Sequence, residues 1–312
     1  MVAVCGVALA SAARAQGQDD LARLNAEVIR LHEQGKFAEA LPIAQRFVEL
    51  ARQRLGEEHP GFAMAVSSLA IVYQAQGRFA EAEPLFRRSL AINEKALAPD
   101  NPGVGTSLMN LAALYRVQGR LAEAEPLFRR GIALYENHEN PLARAHPNLA
   151  SALDNLGLLH QEQGRVAEVE PLFRRSLAIR EKALGVDHPD VSASLNQLAT
   201  LYIAQGRFAE AEPLLKRSLA VREKALGVGH PFVGESLTNL ATLCLSQGRL
   251  AEAERLYRRG LAITEKALGS EHPDVGTSLN NLAWLYLTQL AQLGAKSPSR
   301  FVAVVLVDQG VG

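Results

Sequence analysis

Histidine is the residue type in this sequence best suited to catalysis or metal binding, and its eight copies fall into two groups. Five of them precede a proline in a recurring His-Pro pair, namely His59, His146, His188, His230 and His272. Because the pair recurs at the junction between successive repeats, a structural role accounts for these five histidines. The remaining three, His32, His138 and His160, have no partner at catalytic or metal-binding spacing. The histidines therefore predict neither a metal site nor a catalytic residue.

The other reactive residue types lead to the same expectation. The two cysteines, Cys5 and Cys244, cannot build a disulfide framework and have no zinc-ligand spacing. The glycine-rich stretch 103–107 opens a helix and follows no strand, so it does not match a phosphate-binding loop. The sequence also lacks the H-E-x-x-H and G-x-S-x-G motifs. We therefore expect no enzyme activity, no cofactor and no metal.

Composition and charge indicate which classes of partner the chain does not suit. The chain has 33 basic and 33 acidic residues among 312, so it has no net field that would attract a phosphate backbone or an anionic membrane. No apolar run approaches the ~20 residues of a membrane span. Apolar residues reach 48% while aromatic residues are only 5%, which favours closely packed helices built from Ala, Leu and Val. We expect neither nucleic acid nor a membrane span.

A repeat of 42 residues organises most of the chain. The glycine of a recurring Gln-Gly pair lies at positions 35, 77, 119, 164, 206 and 248, with spacings of 42, 42, 45, 42 and 42. The His-Pro pairs keep the same frame, and Asn101-Pro102 fills the one gap in their series. Markers that hold one register over this distance indicate an internal repeat.

Each repeat predicts two helices. After Pro189, the apolar residues have helical spacing until Gly206 ends the first helix, at Val191, Leu195, Leu198, Ala199 and Tyr202. A second helix opens near Phe208 and stops at Gly227. About seven large buried side chains at ~1.5–3 kcal/mol each cannot offset ~1.5 kcal/mol per ordered residue. Repeats must therefore stack, which predicts an all-α solenoid of antiparallel helix pairs over residues 18–289, about six and a half repeats.

The two ends differ from the repeats. Residues 1–15 combine an apolar stretch with an Ala-Arg-Ala cleavage site, which predicts a signal peptide and export to a periplasm or the medium. No Lys or Arg precedes the apolar stretch, so a cytoplasmic chain is the alternative. Residues 290–312 form a divergent tail with an apolar run at 301–307. The tail is either native or the product of a shifted reading frame.

The repeat resembles the tetratricopeptide repeat. The resemblance rests on Leu-Asn-Gln-Leu-Ala-Thr-Leu-Tyr (195–202), Gln-Gly-Arg-Phe-Ala-Glu-Ala-Glu-Pro-Leu (205–214) and Ser-Leu-Ala-Val-Arg-Glu-Lys-Ala-Leu-Gly (218–227). The length of 42 and the His-Pro join are similar to the subtype of kinesin light chains and many bacterial multi-repeat proteins. This resemblance implies a concave groove, lined by the first helix of each repeat, that binds a protein or peptide.

Two columns of residues on the first helices are the candidate contacts. One polar side chain per repeat lies just off the apolar stripe: Ser68, Asn110, Asn155, Gln197, Asn239 and Asn281. An amide both donates and accepts, so this column suits the backbone of an extended peptide. Three residues further on, the column varies between repeats and includes Thr200, Thr242 and Trp284. Contacts between helices, exposure to water, or a core position for Trp284 are the alternative interpretations.

Three functions remain open. The first is a non-enzymatic scaffold that binds an extended peptide or protein partner in the groove. The second is the sensor arm of a larger signalling enzyme whose catalytic domain is absent, an interpretation favoured by the change of pattern at Leu290. The third is self-association through the last repeat, in which only the first helix keeps the pattern (274–288).

Overall fold

A computed structural model of the protein describes residues 20–32 and 34–292, and in that part of the chain every regular element is helical. The first helix, α1, covers residues 20–32. The others are α2 (Phe37–Leu55), α3 (Pro60–Ala75), α4 (Phe79–Ala96), α5 (Pro102–Val117), α6 (Leu121–Glu136), α7 (Pro141–Arg144), α8 (Pro147–Glu162), α9 (Val169–Leu184), α10 (Pro189–Ala204), α11 (Phe208–Leu226), α12 (Pro231–Ser246), α13 (Leu250–Leu268) and α14 (Pro273–Gln292). The predicted signal segment and the residues after 292 lie outside the described part.

The chain divides into two compact units, with the boundary after Ile179 inside α9. In the first unit, each helix packs against its neighbours in chain order from α2 to α6, and α8 packs against α6. In the second unit, α10 to α14 pack in the same sequential way. The predicted all-α fold of packed helix pairs is confirmed within each unit.

Local signals set where the first helix of each repeat begins. His146 precedes Pro147, and its Nδ1 accepts a hydrogen bond from the backbone N–H of Asn148 at 3.1 Å. Asn101 does the same for α5 through its side-chain oxygen, at 2.8 Å from the N–H of Gly103. The side chain therefore satisfies one of the free N–H groups at the helix start, and proline at the next position has no N–H to satisfy. The histidines of the His-Pro pairs are N-caps.

The Gln-Gly pair ends the same helices. Gly119 has φ 74°, which L side chains rarely adopt, and its N–H bonds the carbonyl of Arg116 at 2.9 Å. The N–H of Arg120 reaches back to the carbonyl of Tyr115 at 2.8 Å. Together the two bonds form a Schellman cap, which explains why glycine recurs at this position in every repeat.

Small residues let the two helices of a repeat approach closely. In the α5–α6 pair, a Cβ added at Gly105 would lie 3.2 Å from the carbonyl oxygen of Gly131. Gly234 and Gly260 form the same crossing between α12 and α13. Around the α5–α6 crossing, a fully buried core fills the pair with Ala112, Ala124 and Phe128. The crossing residue on one helix is therefore matched in size to the residue on the other.

Candidate functional site

In the first unit, α3, α5 and α8 each leave one face open. On α5, residues 108, 111, 112, 114 and 115 are buried, while Thr106, Asn110, Ala113 and Val117 are partly or fully exposed. These four positions follow the spacing of one helix face. The predicted polar column lies on these faces as Ser68, Asn110 and Asn155, and all three are half-buried.

The three polar side chains of the first unit differ in their hydrogen bonds. Ser68 Oγ donates to Asn25 Oδ1 at 3.1 Å, so this hydroxyl serves a contact between helices. Asn155 Nδ2 donates to the carbonyl of Ser151 at 2.9 Å and keeps its oxygen as an acceptor. Among the described residues, none forms a hydrogen bond with the side chain of Asn110. Asn110 thus offers its complete set of donors and acceptors.

An ion pair neutralises the charge beside this column. Arg116 on α5 and Glu162 on α8 lie at the C-terminal ends of their helices, with 2.6 Å between Nη1 and Oε1. Half-buried hydrophobic residues, Ile71, Ala113 and Leu158, accompany the polar column in this unit. The open faces of the first unit are therefore uncharged in effect and partly apolar.

In the second unit, α10, α12 and α14 present the corresponding faces. Gln197, Asn239 and Asn281 are half-buried, as their counterparts in the first unit are. No residue in the described part of the chain forms a hydrogen bond with the side chain of Asn239 or Asn281. These two amides are therefore open to a ligand, as Asn110 is.

The three residues of the varying column in the second unit differ in their surroundings. Thr242 Oγ1 donates to the carbonyl of Thr238 at 3.0 Å and lies 2.9 Å from the hydroxyl of Tyr257 on α13, so it belongs to the packing of the pair. Thr200 is exposed. Trp284 is 64% exposed, which excludes a core position for this side chain. Thr200 and Trp284 remain candidates for contact with a partner.

Sequence reasoning missed the role of the arginine that follows Gln-Gly. Arg120 stacks its guanidinium 3.9 Å from the centre of the Tyr115 ring and forms an ion pair with Glu83 of the preceding repeat at 2.8 Å. Arg249 pairs with Glu212 in the second unit at 3.2 Å. The available signal was the arginine that follows the glycine of Gln-Gly in every repeat except the first, which has Lys36. Within each unit, such a contact joins one repeat to the one before it.

We call the C-terminal end of the first helix, where Tyr115 meets its polar partners, the base of the repeat. His160 is the exception at this position. It is buried in the position of Tyr115, with Nε2 3.6 Å from Glu125 and Nδ1 3.4 Å from Glu168. Neither ring nitrogen forms a hydrogen bond. Burial, followed by the charge of Arg165, lowers the pKa of His160 against the opposing pull of the two carboxylates.

Glu125 shows the opposite balance. Burial raises the pKa of Glu125, but hydrogen bonds from Arg165 and Arg129 outweigh it and lower that pKa to about 2. Arg165 lies 2.7 Å from Glu125 and keeps this carboxylate charged. His160 is therefore the buried member of an ion-pair network whose outer members, Arg129 and Glu168, reach solvent.

Cys244 and the possible metal ligands are the other groups in the described part of the chain that bear on chemistry. Cys244 is buried, and burial raises the pKa of its thiol, which opposes formation of the reactive thiolate. The described residues contain no group of three histidine, cysteine or acidic side chains placed to hold a metal ion. Among the described helices, none is both long and apolar enough to cross a membrane.

Comparison with family models identifies the repeat. A tetratricopeptide repeat model matches residues 61–137, 148–224, 190–266 and 232–293, and a second tetratricopeptide repeat model matches residues 24–61. The matched ranges cover more than half of the chain. A comparison with curated proteins finds no match.

Solved structures with the same fold include repeats of the kinesin light chain type. A Podosopora anserina protein with nearly identical repeats of that type is 31% identical, covering 68% of this chain and 99% of its own, with a TM-score of 0.57. BtubC from P. vanneervenii is 22% identical over 81% of this chain and 94% of its own, with a TM-score of 0.60. The type IV pilus biogenesis factor PilW is 18% identical over 83% and 98%, with a TM-score of 0.55.

Proposed function

Because the chain belongs to the tetratricopeptide repeat family and is of the kinesin-light-chain-like type, we propose that it is a protein–protein interaction scaffold that carries out no catalytic step. Its ligand is an extended segment of a peptide or protein partner. The segment binds along the open faces of the first helices within a unit.

One observation carries this proposal: the half-buried amides recur on the open face of successive first helices and keep unused hydrogen-bonding groups. Asn110 in the first unit and Asn239 and Asn281 in the second are the clearest cases. An extended peptide has N–H and C=O groups that need partners once water is displaced. A carboxamide supplies both kinds of partner from one side chain.

Neighbouring side chains define the chemistry of the segment. In the first unit, Ile71, Ala113 and Leu158 suit apolar side chains, and the Arg116–Glu162 pair leaves no net charge beside them. In the second unit, Thr200 supplies a hydroxyl and Trp284 supplies an exposed aromatic surface. Tryptophan is enriched among the residues that dominate binding energy at interfaces. The proposal therefore favours a neutral segment with apolar anchors.

Affinity capture followed by mass spectrometry tests the proposal with one variant for each unit. The first variant carries Asn110→Ala and Asn155→Ala, and the second carries Asn239→Ala and Asn281→Ala. Each lost amide removes hydrogen bonds worth about 0.5–1.5 kcal/mol net, so two lost amides weaken capture roughly fivefold or more. We expect at least one variant to lose partners that the parent chain retains.

The matched control is Asn137→Ala, which removes an exposed amide in the loop after α6, away from the first helices. Far-ultraviolet circular dichroism checks that every variant keeps its helices. If both double variants and the control recover the same partners, the amide faces are not the binding surface and the proposal fails.

We also propose export, on the basis of the apolar stretch and Ala-Arg-Ala site in residues 1–15. These residues lie outside the described part of the structure, so this proposal rests on sequence. N-terminal sequencing after fractionation tests it. We expect a chain that starts after Ala15 in the exported fraction, whereas an intact Met1 in the cytoplasmic fraction contradicts export.

A further inference from the structure

In the part of the chain that the structure describes, α14 is the one first helix that no second helix follows. In the second unit, α13 packs on α12, and Leu237 and Ala241 of α12 are both fully buried. Their counterparts 42 residues later, Leu279 and Ala283, are exposed, with Leu279 at 48%. These two residues line a groove of about 330 Å³ between α13 and α14. In a complete repeat, the second helix packs at the position of this groove.

The first clue to the occupant is a charge. Successive second helices are joined by an ion pair from a glutamate to an arginine 36 residues later, as in Glu223–Arg259 at 2.6 Å. The same pair occurs as Glu181–Arg217 at 2.6 Å and, in the first unit, as Glu94–Arg130 at 2.7 Å. Glu265 is the next member of this series, lines the groove, and forms no ion pair with any described residue. The groove therefore offers a carboxylate to an arginine.

The second clue is the size of the crossing residue. Gly234 meets Gly260, and Gly105 meets Gly131, with 26 residues between the partners in both pairs. Where the first helix has Ser192 instead, the second helix has Ser218, and the Ser218 hydroxyl bonds the Ser192 carbonyl at 3.1 Å. Gly276 is the counterpart of Gly234, and a Cβ added there would meet nothing within 4 Å. An open glycine at this position matches a glycine on the arriving helix.

We infer that the groove between α13 and α14 is a docking site for an amphipathic helix of a partner protein with Arg-Gly at its centre. The arginine pairs with Glu265, the glycine crosses Gly276, and apolar residues on the same face cover Leu279. Two of the chain's own second helices show this pattern. Gly131 and Gly260 lie at the two glycine crossings, and the residues directly before them are Arg130 and Arg259. The bound helix completes the last repeat.

Two residues of this sequence lie at the positions that the register of the repeat would place in this groove, and neither matches it. The position 36 residues after Glu265 holds Phe301, and the position 26 residues after Gly276 holds Val302. Neither offers a positive charge to Glu265 or a side chain small enough to cross Gly276. A separate polypeptide is therefore the occupant to which we commit.

A fluorescein-labelled peptide with the sequence of residues 250–268 is the probe, because it contains Arg259-Gly260 and the apolar face of α13. The peptide is titrated with the full chain and its fluorescence anisotropy is measured. We expect saturable binding that Gly276→Leu and Glu265→Arg each weaken at least about tenfold, since one blocks the crossing and the other opposes like charges. A peptide with Arg259→Glu should bind the Glu265→Arg chain as the original pair does.

Two controls separate the groove from general effects. Glu271→Arg makes the same charge change on an exposed residue outside the groove and should leave binding unchanged. The Asn239→Ala and Asn281→Ala chain should also bind the peptide normally, because those amides belong to the other face. Circular dichroism confirms the fold, and Gly276→Leu replaces a poor helix former by a good one.

Three results would overturn the inference. One is the absence of saturable binding, or binding that neither groove variant weakens. Another is binding that appears only after residues 293–312 are deleted, which makes this segment of the chain the occupant. The third is a dimer of the chain in light scattering that Gly276→Leu dissociates, which makes a second copy the occupant.

Discussion

The α5–α6 and α8–α9 pairs of the first unit share one sequence pattern but build the base of the repeat differently. In α5–α6, the Tyr115 hydroxyl accepts from Arg87 at 2.8 Å and donates to Glu83 at 3.2 Å. In α8–α9, His160 takes the same position with neither nitrogen hydrogen-bonded. The difference shows that the repeat fixes the backbone while the polar contacts at its base vary.

The two helix pairs also differ in the small residues that pack between their helices. Ala112 and Ala124 are both fully buried in the α5–α6 core. In α8–α9 the counterparts are Gly157 and Val169, and a methyl added at Gly157 would lie 2.5 Å from Phe173 Cε1. The second helix of this pair also opens with a 3₁₀ turn, Val166–Glu168. A larger residue on one helix is therefore accompanied by a smaller one on the other.

The largest effect is expected from Tyr115→His, which gives α5–α6 the base of α8–α9. The smaller ring leaves a void, and Glu83 and Arg87 lose the hydroxyl, so we expect a loss of about 2–4 kcal/mol in the free energy of unfolding. Urea denaturation followed by circular dichroism measures it. Tyr115→Phe removes only the hydroxyl and should cost about 1–2 kcal/mol; equal losses in the two variants would contradict a role for ring packing.

The next effect concerns the paired small residues. Ala124→Val alone overpacks the α5–α6 core and should cost about 1–3 kcal/mol. Adding Ala112→Gly makes room, although glycine in a helix costs about 1 kcal/mol relative to alanine. A double-mutant cycle on unfolding free energies should therefore give a favourable coupling of about 1 kcal/mol. Strict additivity would mean that the exchange in α8–α9 is not compensatory.

The third prediction uses the lowered pKa of His160. The unfolded histidine protonates near its ordinary pKa of 6.5. In the folded chain, burial and then the charges of Arg165 and Arg129 lower the pKa of His160, despite the opposing charges of Glu168 and Glu125. The unfolded state then binds more protons, so stability is complete above pH 6.5 and falls below it by up to about 1.4 kcal/mol per pH unit.

The measurement compares the parent chain with His160→Tyr at pH 7.5 and pH 5.5 in urea. The N-cap histidines are present in both chains, so the difference between the two pH responses reports His160 alone. We expect the tyrosine variant to lose less stability on acidification. An identical loss in both chains would show that His160 does not titrate in this range.

The smallest effect separates the two caps. His146→Asn replaces the cap of α8 by the one that α5 uses, and we expect a change below about 0.5 kcal/mol in the unfolding free energy. His146→Ala removes the acceptor for the Asn148 N–H and should cost about 0.5–2 kcal/mol. Thermal denaturation resolves the two, and a neutral alanine variant would contradict the capping role.

Local signals explain why the fold could be predicted. The repeat from Pro189 predicted a first helix ending at Gly206 and a second between Phe208 and Gly227, and the structure has α10 at Pro189–Ala204 and α11 at Phe208–Leu226. Proline and positive-φ glycine act within a few residues, so the sequence alone reveals the boundaries.

The state of the candidate site could be predicted only in part. Register places Ser68 and Asn110 in the polar column and Thr242 in the varying column. The structure shows that Ser68 bonds Asn25 and Thr242 lies within hydrogen-bond distance of Tyr257, while Asn110 stays open. Such contacts depend on side chains of neighbouring helices tens of residues away. The pairing of Arg116 with Glu162 is of the same kind, since it joins residues 46 apart. Periodicity identifies the two columns but does not decide which of their members are free.

The matched crossings determine how such a chain can be rearranged. The crossing residues, Gly105 with Gly131 and Ser192 with Ser218, are partners inside one hairpin. The Arg120–Glu83 ion pair instead joins two neighbouring hairpins, and the same residue types form it elsewhere in the chain. Recombination that exchanges whole hairpins keeps every crossing intact and finds compatible bridges at the new neighbour. A breakpoint between the two helices of a hairpin would join mismatched crossings, so the hairpin is the module by which this architecture can be lengthened, shortened or shuffled.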